Sequence, residues 1–497
     1  MVFWRQNPLI CEINAWTWLH SLSTLYNRPV TFGSIPDEVL TPLAQWKFDA
    51  VWLMGVWERS PAGREISLGH PHLQDEYRRA LPNYTKADVI GSPYSIRRYE
   101  VDPHLGGRNE LAALRKRLEK LGIKLVLDFV PNHTAIDCSW LAECPDYFVQ
   151  GVSEDLEAQP EFFFAVPGGD GRSLIFANGR DPYFPAWTDT AQINAFNPHL
   201  RSQAVTTLLD IASQCDAVRC DMAMLVTNRI FSQTWGPGVG PEPETEYWHV
   251  VIPAIKAKYP HFLFLAEVYW DMEWKLQQQG FDYTYDKRLY DYLKNEPVRS
   301  ILTHLQGDLN YQSHMVRFIE NHDEQRAART FGPGRAQAAA VLVTTLPGAT
   351  LLHEGQFYGH RIKLPVQLGY RPVEETDPEI EAFYHVLLAE VSKPIYHNGT
   401  WRMRETMPAW DLNATHKNLI AYTWQSNSSD RRLIVINYSS TGSQGRVLLP
   451  DMHGTDRIWK LQDQLDGSVY ERSGKEMADV GLYVDLSPWQ SHIFDFR

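Results

Sequence analysis

Three things are scarce in this sequence. Cysteine is the first: there are five in 497 residues, Cys11, Cys138, Cys144, Cys215 and Cys220, an odd number with no metal-ligand spacing. That excludes a disulfide scaffold and a structural zinc site. Cys11, Cys215 and Cys220 sit in apolar, strand-like runs, where Cys behaves as a small hydrophobe. Positive charge is the second. Lys and Arg total 47 against 60 Asp and Glu, a net charge of −13, and no basic run appears, so nucleic acid and anionic membrane surfaces are disfavoured as partners. Long apolar runs are the third. None approaches the length needed to cross a bilayer, so no membrane span is expected. Met1 to Pro8 is short and polar rather than leader-like. The sequon Asn132-His-Thr lies among the candidate functional residues, where a glycan would obstruct them. The expectation is a reduced, cytoplasmic protein.

What is present is a packed globular composition, 44% hydrophobic and 22% charged, with 17 Trp, 23 Tyr and 21 Phe. A chain of this size buries about three quarters of its unfolded surface and needs no covalent staple. The aromatics supply either a large core or flat platforms for ring-shaped ligands, and composition does not choose between them.

Short apolar runs alternate with helical patterns. Strands are expected at Pro8–Asn14, Phe48–Met54, Ile123–Phe129, Asp216–Cys220, Phe262–Glu267, Phe281–Asp286, Val316–Glu320 and Thr350–His353. Helices are expected at Asp37–Lys47, Asn109–Leu121 (stopped by Gly122) and Arg201–Ala212. Eight βα units whose strands are apolar throughout predict an α/β fold, a (β/α)8 TIM barrel. Two segments break the alternation. Residues 134–203, rich in Pro, Gly, Asp and aromatics, are too long for a structureless loop and predict a small inserted subdomain after the third strand. Beyond about Lys393 the helices stop and short strands predict a C-terminal antiparallel β-sandwich. The expected division is barrel 1–133, insert 134–203, barrel 204–395 and sandwich 396–497.

Barrel chemistry sits at the carboxyl ends of strands. The third strand ends in Asp128-Phe-Val-Pro-Asn132-His133, the fourth in Arg219-Cys-Asp221, the fifth in Glu267 and the seventh in Glu320-Asn-His322-Asp323. One such acid is common at a solvated strand end; carboxylates at four strand ends are not. Converging carboxylates suit glycosidic bond cleavage, with one acid protonating the leaving oxygen and one carboxylate meeting the developing oxocarbenium ion. Crowding pushes one carboxyl pKa up and keeps the acid protonated. Arg219, on the same strand face as Asp221, is placed to hold Asp221 ionised.

The segments DFVPNH (128–133), AVRCDMAML (217–225), FLAEVY (264–269) and FIENHD (318–323) resemble, in order, the conserved regions of the α-amylase family of retaining glycosidases and transglycosidases (glycoside hydrolase family 13). GSPYSIRRYEVDPHLGG (91–107), WTDTAQINAFNP (187–198) and LPGATLLHEGQ (346–356) add to the resemblance, which covers roughly residues 8–395. It implies Asp221 as nucleophile, Glu267 as general acid/base and Asp323 as the third carboxylate gripping sugar hydroxyls. It implies that His133 and His322 bind hydroxyls, that Tyr94 is a platform under the sugar, and that Arg219 and Asp128 form a supporting ion pair. Tyr269, with Trp16, Trp18, Trp57 and Trp270, is placed either for acceptor-side stacking or for plain packing. No cofactor is required. A calcium ion through Asn132 occurs in relatives, although no acidic cluster supports one here, and no metal ligand is assigned.

Three departures narrow the expectation. Met224-Leu225 stands where many amylases carry Lys-His. Gly91 stands where exo-acting relatives place an Asp. The loop Gly55–Ile90 is long and carries Trp57, Arg59, Arg64, His70, His72 and Tyr84, and a loop of that size usually shapes the site. The reading is a retaining hydrolase of a small neutral α-glucoside: a disaccharide, a short malto-oligosaccharide or a glucosyl-polyol such as glucosylglycerol. A transglycosidase or glucanotransferase would use the same residues. A non-catalytic binding or assembly subunit would usually lose one of the three carboxylates, and all are present. The sequence leaves the oligomeric state open.

Overall fold

The computed structural model describes residues 4–168, 172–426, 430–452 and 457–497. Eight strands close into a barrel in chain order: β1 (Leu9–Asn14), β2 (Ala50–Met54), β3 (Lys124–Phe129), β4 (Ala217–Cys220), β5 (Leu263–Ala266), β6 (Tyr283–Tyr285), β7 (Met315–Arg317) and β8 (Ala349–His353). Every neighbouring pair is parallel, with β1 closing against both β2 and β8. These are the eight runs expected from the sequence. Their largest end error is at β7, where the chain leaves the strand after Arg317. All residues of β1, β2, β4 and β8 are buried, as parallel strands covered on both faces require. The charged residues inside these runs, Glu12, Asp128, Arg219 and Arg317, are therefore buried too, and burial forces each to find a partner.

The helices follow from spacing and caps. Gly107–Lys120 buries Leu111, Leu114 and Leu118 on one stripe and carries Arg117 and Lys120 in its last turn, where cations offset the helix dipole. The helix expected at Arg201 begins earlier, at Pro198. Asn197 caps it by accepting from the N–H groups of His199 and Leu200, with Pro at the first position, a start signal present in the sequence.

Between β3 and that helix the chain builds small antiparallel pairings. His133–Ala135 pairs with Thr190–Gln192, and Phe163–Pro167 pairs with Ser173–Ala177. They enclose a cluster of their own around Leu141, Phe148, Phe176 and Ile193. The C-terminal part forms a six-stranded and a three-stranded antiparallel sheet. One expectation fails there: helices do not stop at Lys393, because Gly474–Asp479 is helical. So short a helix shows no period, and only the Ser473 cap, accepting from Glu476 N–H, marks it. Buried contacts fasten this part to the barrel. Thr345 Oγ1 meets Tyr422 Oη at 2.6 Å, and Arg432 pairs with Glu390 at 2.7 Å.

All five cysteines are free, Cys144 half-buried and the rest buried. Among the described residues, no helix is long and apolar enough to cross a membrane.

Candidate active site

A cavity of about 350 Å³ opens at the carboxyl end of the barrel strands, lined by Tyr94, His133, Asp221, Glu267, Tyr269 and Asp323 together with Ser92, Trp187, Asp189, Thr190, Met222 and Gln367. Six of the nine residues singled out in the sequence thus share one wall. The other three, Asp128, Arg219 and His322, lie beneath it, each at most 4% exposed.

Arg219 organises the floor. Its Nη1 lies 2.7 Å from Asp221 Oδ1 and its Nη2 2.8 Å from Glu267 Oε2, so one guanidinium holds both carboxylates. Its Cζ stands 5.1 Å from the Tyr94 ring and 5.2 Å from the Trp52 ring, so it is sandwiched by aromatic faces that favour a cation. The expected Arg219–Asp128 ion pair is not formed. The two residues are register partners on neighbouring strands, but Asp128 instead accepts from Trp52 Nε1 and from the N–H of Gly55, both at 3.1 Å. Burial pushes Asp128 up to about 6, with the Arg219 charge pulling the other way.

Glu267 is the most heavily bonded of the three acids. Oε1 accepts from Tyr269 Oη at 2.7 Å and Oε2 from the Met222 N–H at 2.7 Å, while Arg219 is paired with it by charge. Asp221 has Arg219 alone among side chains. The sequence argument placed the upward push on the acid and left Asp221 ionised. In the structure the push falls on Asp221, raised to about 8 by burial first and by the Glu267 charge second, against the pull of Arg219. Asp221 therefore holds its proton more tightly than an ordinary carboxyl.

His322 sits in a relay with both ring nitrogens engaged. Nδ1 meets Glu12 Oε1 at 2.5 Å, and Nε2 meets Tyr94 Oη at 2.7 Å and Asp323 Oδ2 at 3.1 Å. It thereby holds these three groups in place. Burial opposes its charge, but the flanking Asp323 and Glu12 raise it to about 10. Desolvation in the cleft works against the Asp323 charge as well, yet the His322 imidazolium holds that carboxyl well below its usual range. His133 is the opposite case. Burial lowers it to about 3, and the neutral ring packs 5.1 Å from that of Trp187.

Backbone strain gathers at the same place. Met222, which follows Asp221, has φ 42°, and Trp270 and Asp271, just past Tyr269, both have φ 61°. Left-handed backbone costs a non-glycine residue about 1–2 kcal/mol, and such outliers concentrate at functional sites.

The walls come from distant parts of the chain. The long loop forms helices at Pro61–Gly69 and Pro71–Ala80, which pack Tyr77, Ala80, Leu81 and Val89 against Leu368. Arg59 donates to the carbonyls of Gly91 and Val366, and the Ile90 N–H to that of Gln367. The loop therefore shapes the cavity indirectly, by pinning the segment 361–371, and none of its six singled-out side chains lines the cavity. Gly91 has φ +88°, a left-handed backbone in which an acidic side chain would be strained. Trp57 and Trp18 are core residues, Trp57 donating to the Asp128 carbonyl at 2.8 Å.

The residues around Asn132 do not fit calcium, which takes six to eight oxygens and several carboxylates. Asn132 Oδ1 accepts from Gln192 Nε2 at 3.0 Å, and Asn132 Nδ2 donates back to Gln192 Oε1 at 3.2 Å, so the site is a closed pair of amides. Among the described residues no group of three or more His, Cys, Asp or Glu side chains could hold a metal ion.

The sequence reading missed Glu12, Asp189, Met222 and Gln367. A lone acid inside the apolar run LICEIN was the available signal for Glu12. Nothing local marks Gln367.

Residues 40–233 match the family model for the alpha-amylase catalytic domain. Over those residues the chain is similar to the alpha-amylase catalytic domain. Alpha-amylase MalA of Haloarcula japonica is 26% identical over 276 residues, covering 53% of this chain and 36% of that protein. The alpha-1,4-glucan:maltose-1-phosphate maltosyltransferase of Rhodospirillum rubrum is 25% identical over 364 residues, covering 71% of this chain and 46% of that one. The chain matches between 36% and 56% of the length of its curated relatives. Among solved structures, an alpha-amylase from Lactobacillus plantarum superposes with a TM-score of 0.69 at 19% identity over 99% of both chains, so the fold of the α-amylase family extends over nearly the whole chain.

Proposed function

We propose that the protein is a retaining α-glycoside hydrolase acting by double displacement on a small α-glucoside. The observation that carries this reading is the single guanidinium of Arg219 holding Asp221 and Glu267 in one cavity with Asp323. Asp221 attacks the anomeric carbon while Glu267 gives its proton to the glycosidic oxygen, so the C–O bond breaks and the leaving group departs as an alcohol. A glycosyl ester on Asp221 remains. Glu267, now a carboxylate, takes a proton from water, whose oxygen attacks the anomeric carbon and frees Asp221. The proton that burial favours on Asp221 must reside on Glu267 at the first step. A glycosidic oxygen arriving beside Tyr269 gives it an acceptor there.

Asp323, kept anionic by His322, is suited to grip sugar hydroxyls, and Tyr94 and neutral His133 complete the sugar-facing wall. The cavity, at about 350 Å³, is small for a ligand site. Sites of that size enclose one compact molecule, which supports a disaccharide, a short malto-oligosaccharide or a glucosyl-polyol over a polymer. Five free thiols support a reduced, cytoplasmic setting. The length matched in the maltosyltransferase relative favours transfer as the second reading, with the same residues and a sugar acceptor in place of water.

Product analysis on maltose, maltotriose, soluble starch, sucrose, trehalose and glucosylglycerol tests both readings. Free glucose from one small glucoside with starch untouched is the expected result; longer or rearranged saccharides would establish transfer. Asp221→Asn is expected to lose at least about a thousandfold in rate. A variant as active as wild type would overturn the mechanism.

A further inference from the structure

Two arms rise from the cavity wall and meet beyond the acid/base. One is the loop closed by the Trp187 N–H donating to the Gly179 carbonyl at 2.8 Å. Its tip, Pro182-Tyr-Phe-Pro185, is stiffened by two prolines and by Asp181 Oδ1, which accepts from the N–H groups of Tyr183 at 2.6 Å and Phe184 at 2.9 Å. The other is the stretch after β5, where Tyr269 lines the cavity and Trp270 and Asp271 follow in left-handed backbone, with Asp271 tied to Arg288. The Tyr183 ring meets the Trp270 ring edge to face at 4.9 Å. This contact joins the inserted subdomain to the barrel while Tyr183 stays 61% exposed. Folding gains little from an aromatic left so exposed, and strain in two successive residues persists only where the surroundings enforce it.

We infer that the Tyr183–Trp270 pair is a bar across the leaving-group end of the cleft, restricting what lies beyond the scissile bond to about one ring. The inference rests on the hydrolase reading and deepens it. A general acid must face the leaving oxygen, so whatever departs passes along the stretch that continues from Glu267 through Tyr269 to Trp270. Trp187, four residues beyond Tyr183, also lines the cavity. A monosaccharide or polyol leaving group fits beneath the bar. A glucan chain attached to the leaving sugar meets it.

The test compares kcat/KM on maltose and maltoheptaose, with 4-nitrophenyl α-glucoside, whose leaving group is a single ring, as reference. Wild type is expected to prefer maltose. Tyr183→Ala, and independently Trp270→Gly, which also relieves the backbone strain, should raise the maltoheptaose-to-maltose ratio by about tenfold or more. Tyr183→Ala should leave the 4-nitrophenyl substrate within about twofold, and Phe184→Ala, beside the bar, should leave the ratio unchanged. Equal use of both lengths by wild type, or an unaltered ratio in both folded bar variants, overturns the bar and leaves the hydrolase reading intact. Failure of wild type to turn over any of the three probes overturns the bar, and failure on sucrose, trehalose and glucosylglycerol as well overturns the hydrolase reading.

Discussion

The floor of the cleft and its rim are built on opposite terms. On the floor, Arg219, Glu12, His322 and Asp128 are almost wholly buried, and each is bonded to a named partner: Arg219 to two carboxylates, His322 to Glu12, Tyr94 and Asp323, and Asp128 to Trp52 and Gly55. On the rim, the Gln367 amide has no hydrogen-bond partner among the described residues, and Asp189, raised to about 6 by burial, is met only by its own backbone N–H. A group bonded within the protein fixes geometry. A group left unbonded at the mouth of a cavity is available to whatever enters. On the proposed mechanism the floor carries the chemistry and the rim the choice of substrate.

The sharpest way to break this contrast is on the floor. Arg219→Ala leaves two carboxylates side by side in a buried setting with their common cation gone. Breaking a buried pair from one side costs about 3–5 kcal/mol, so denaturant unfolding should show a loss of that size, and turnover should vanish. Retained stability would mean that the carboxylates relax into solvent and that the floor is not as closed as it looks.

A second test uses pH. The raised Asp221 carboxyl predicts a kcat/KM profile whose alkaline limb falls near pH 8, as the site loses the proton the acid must donate. His322 acts on stability in the opposite region. Its folded value near 10 lies above the ordinary value of about 6.5. Its contribution is therefore whole below about pH 6.5 and is lost as pH rises toward about 10. Glu12→Gln, which removes one of the two flanking anions, should lower Tm most on the acid side of that window, with the gap to wild type closing toward pH 10. A gap that widens with pH would show that Glu12 does not act through the imidazolium.

The smallest effect belongs to the rim. Gln367→Ala should leave Tm unchanged and raise KM roughly threefold to tenfold, the worth of one neutral hydrogen bond, with kcat little altered. Loss of stability instead would show that Gln367 secures the segment 361–371 rather than serving the ligand.

The barrel was legible because eight buried strands leave an unambiguous apolar imprint, and the three carboxylates because Asp221 and Glu267 directly follow such strands and Asp323 lies a few residues past another. Glu12 was legible in principle, since an acid amid LICEIN has no business there without a partner, but its partner lies 310 residues away. The Asp128 pairing was misjudged because register neighbours need not bond when an indole and a backbone N–H are nearer. The push on Asp221 was misjudged for a related reason: which of two crowded acids holds the proton depends on how many donors reach each one, and spacing along the chain does not count donors. Gln367 was illegible, because its position is set by a loop from the first fifth of the chain.

That last dependence governs how the protein comes into being. Arg59 secures Val366 across 307 residues of chain, and such distant contacts are slow to close. During synthesis the stretch containing Asp221 and Glu267 emerges well ahead of the segment that walls the cleft. A nascent chain released before residue 371 would carry its reactive acids in an open trough. The order of emergence makes the enclosure of the site one of the last events in its assembly.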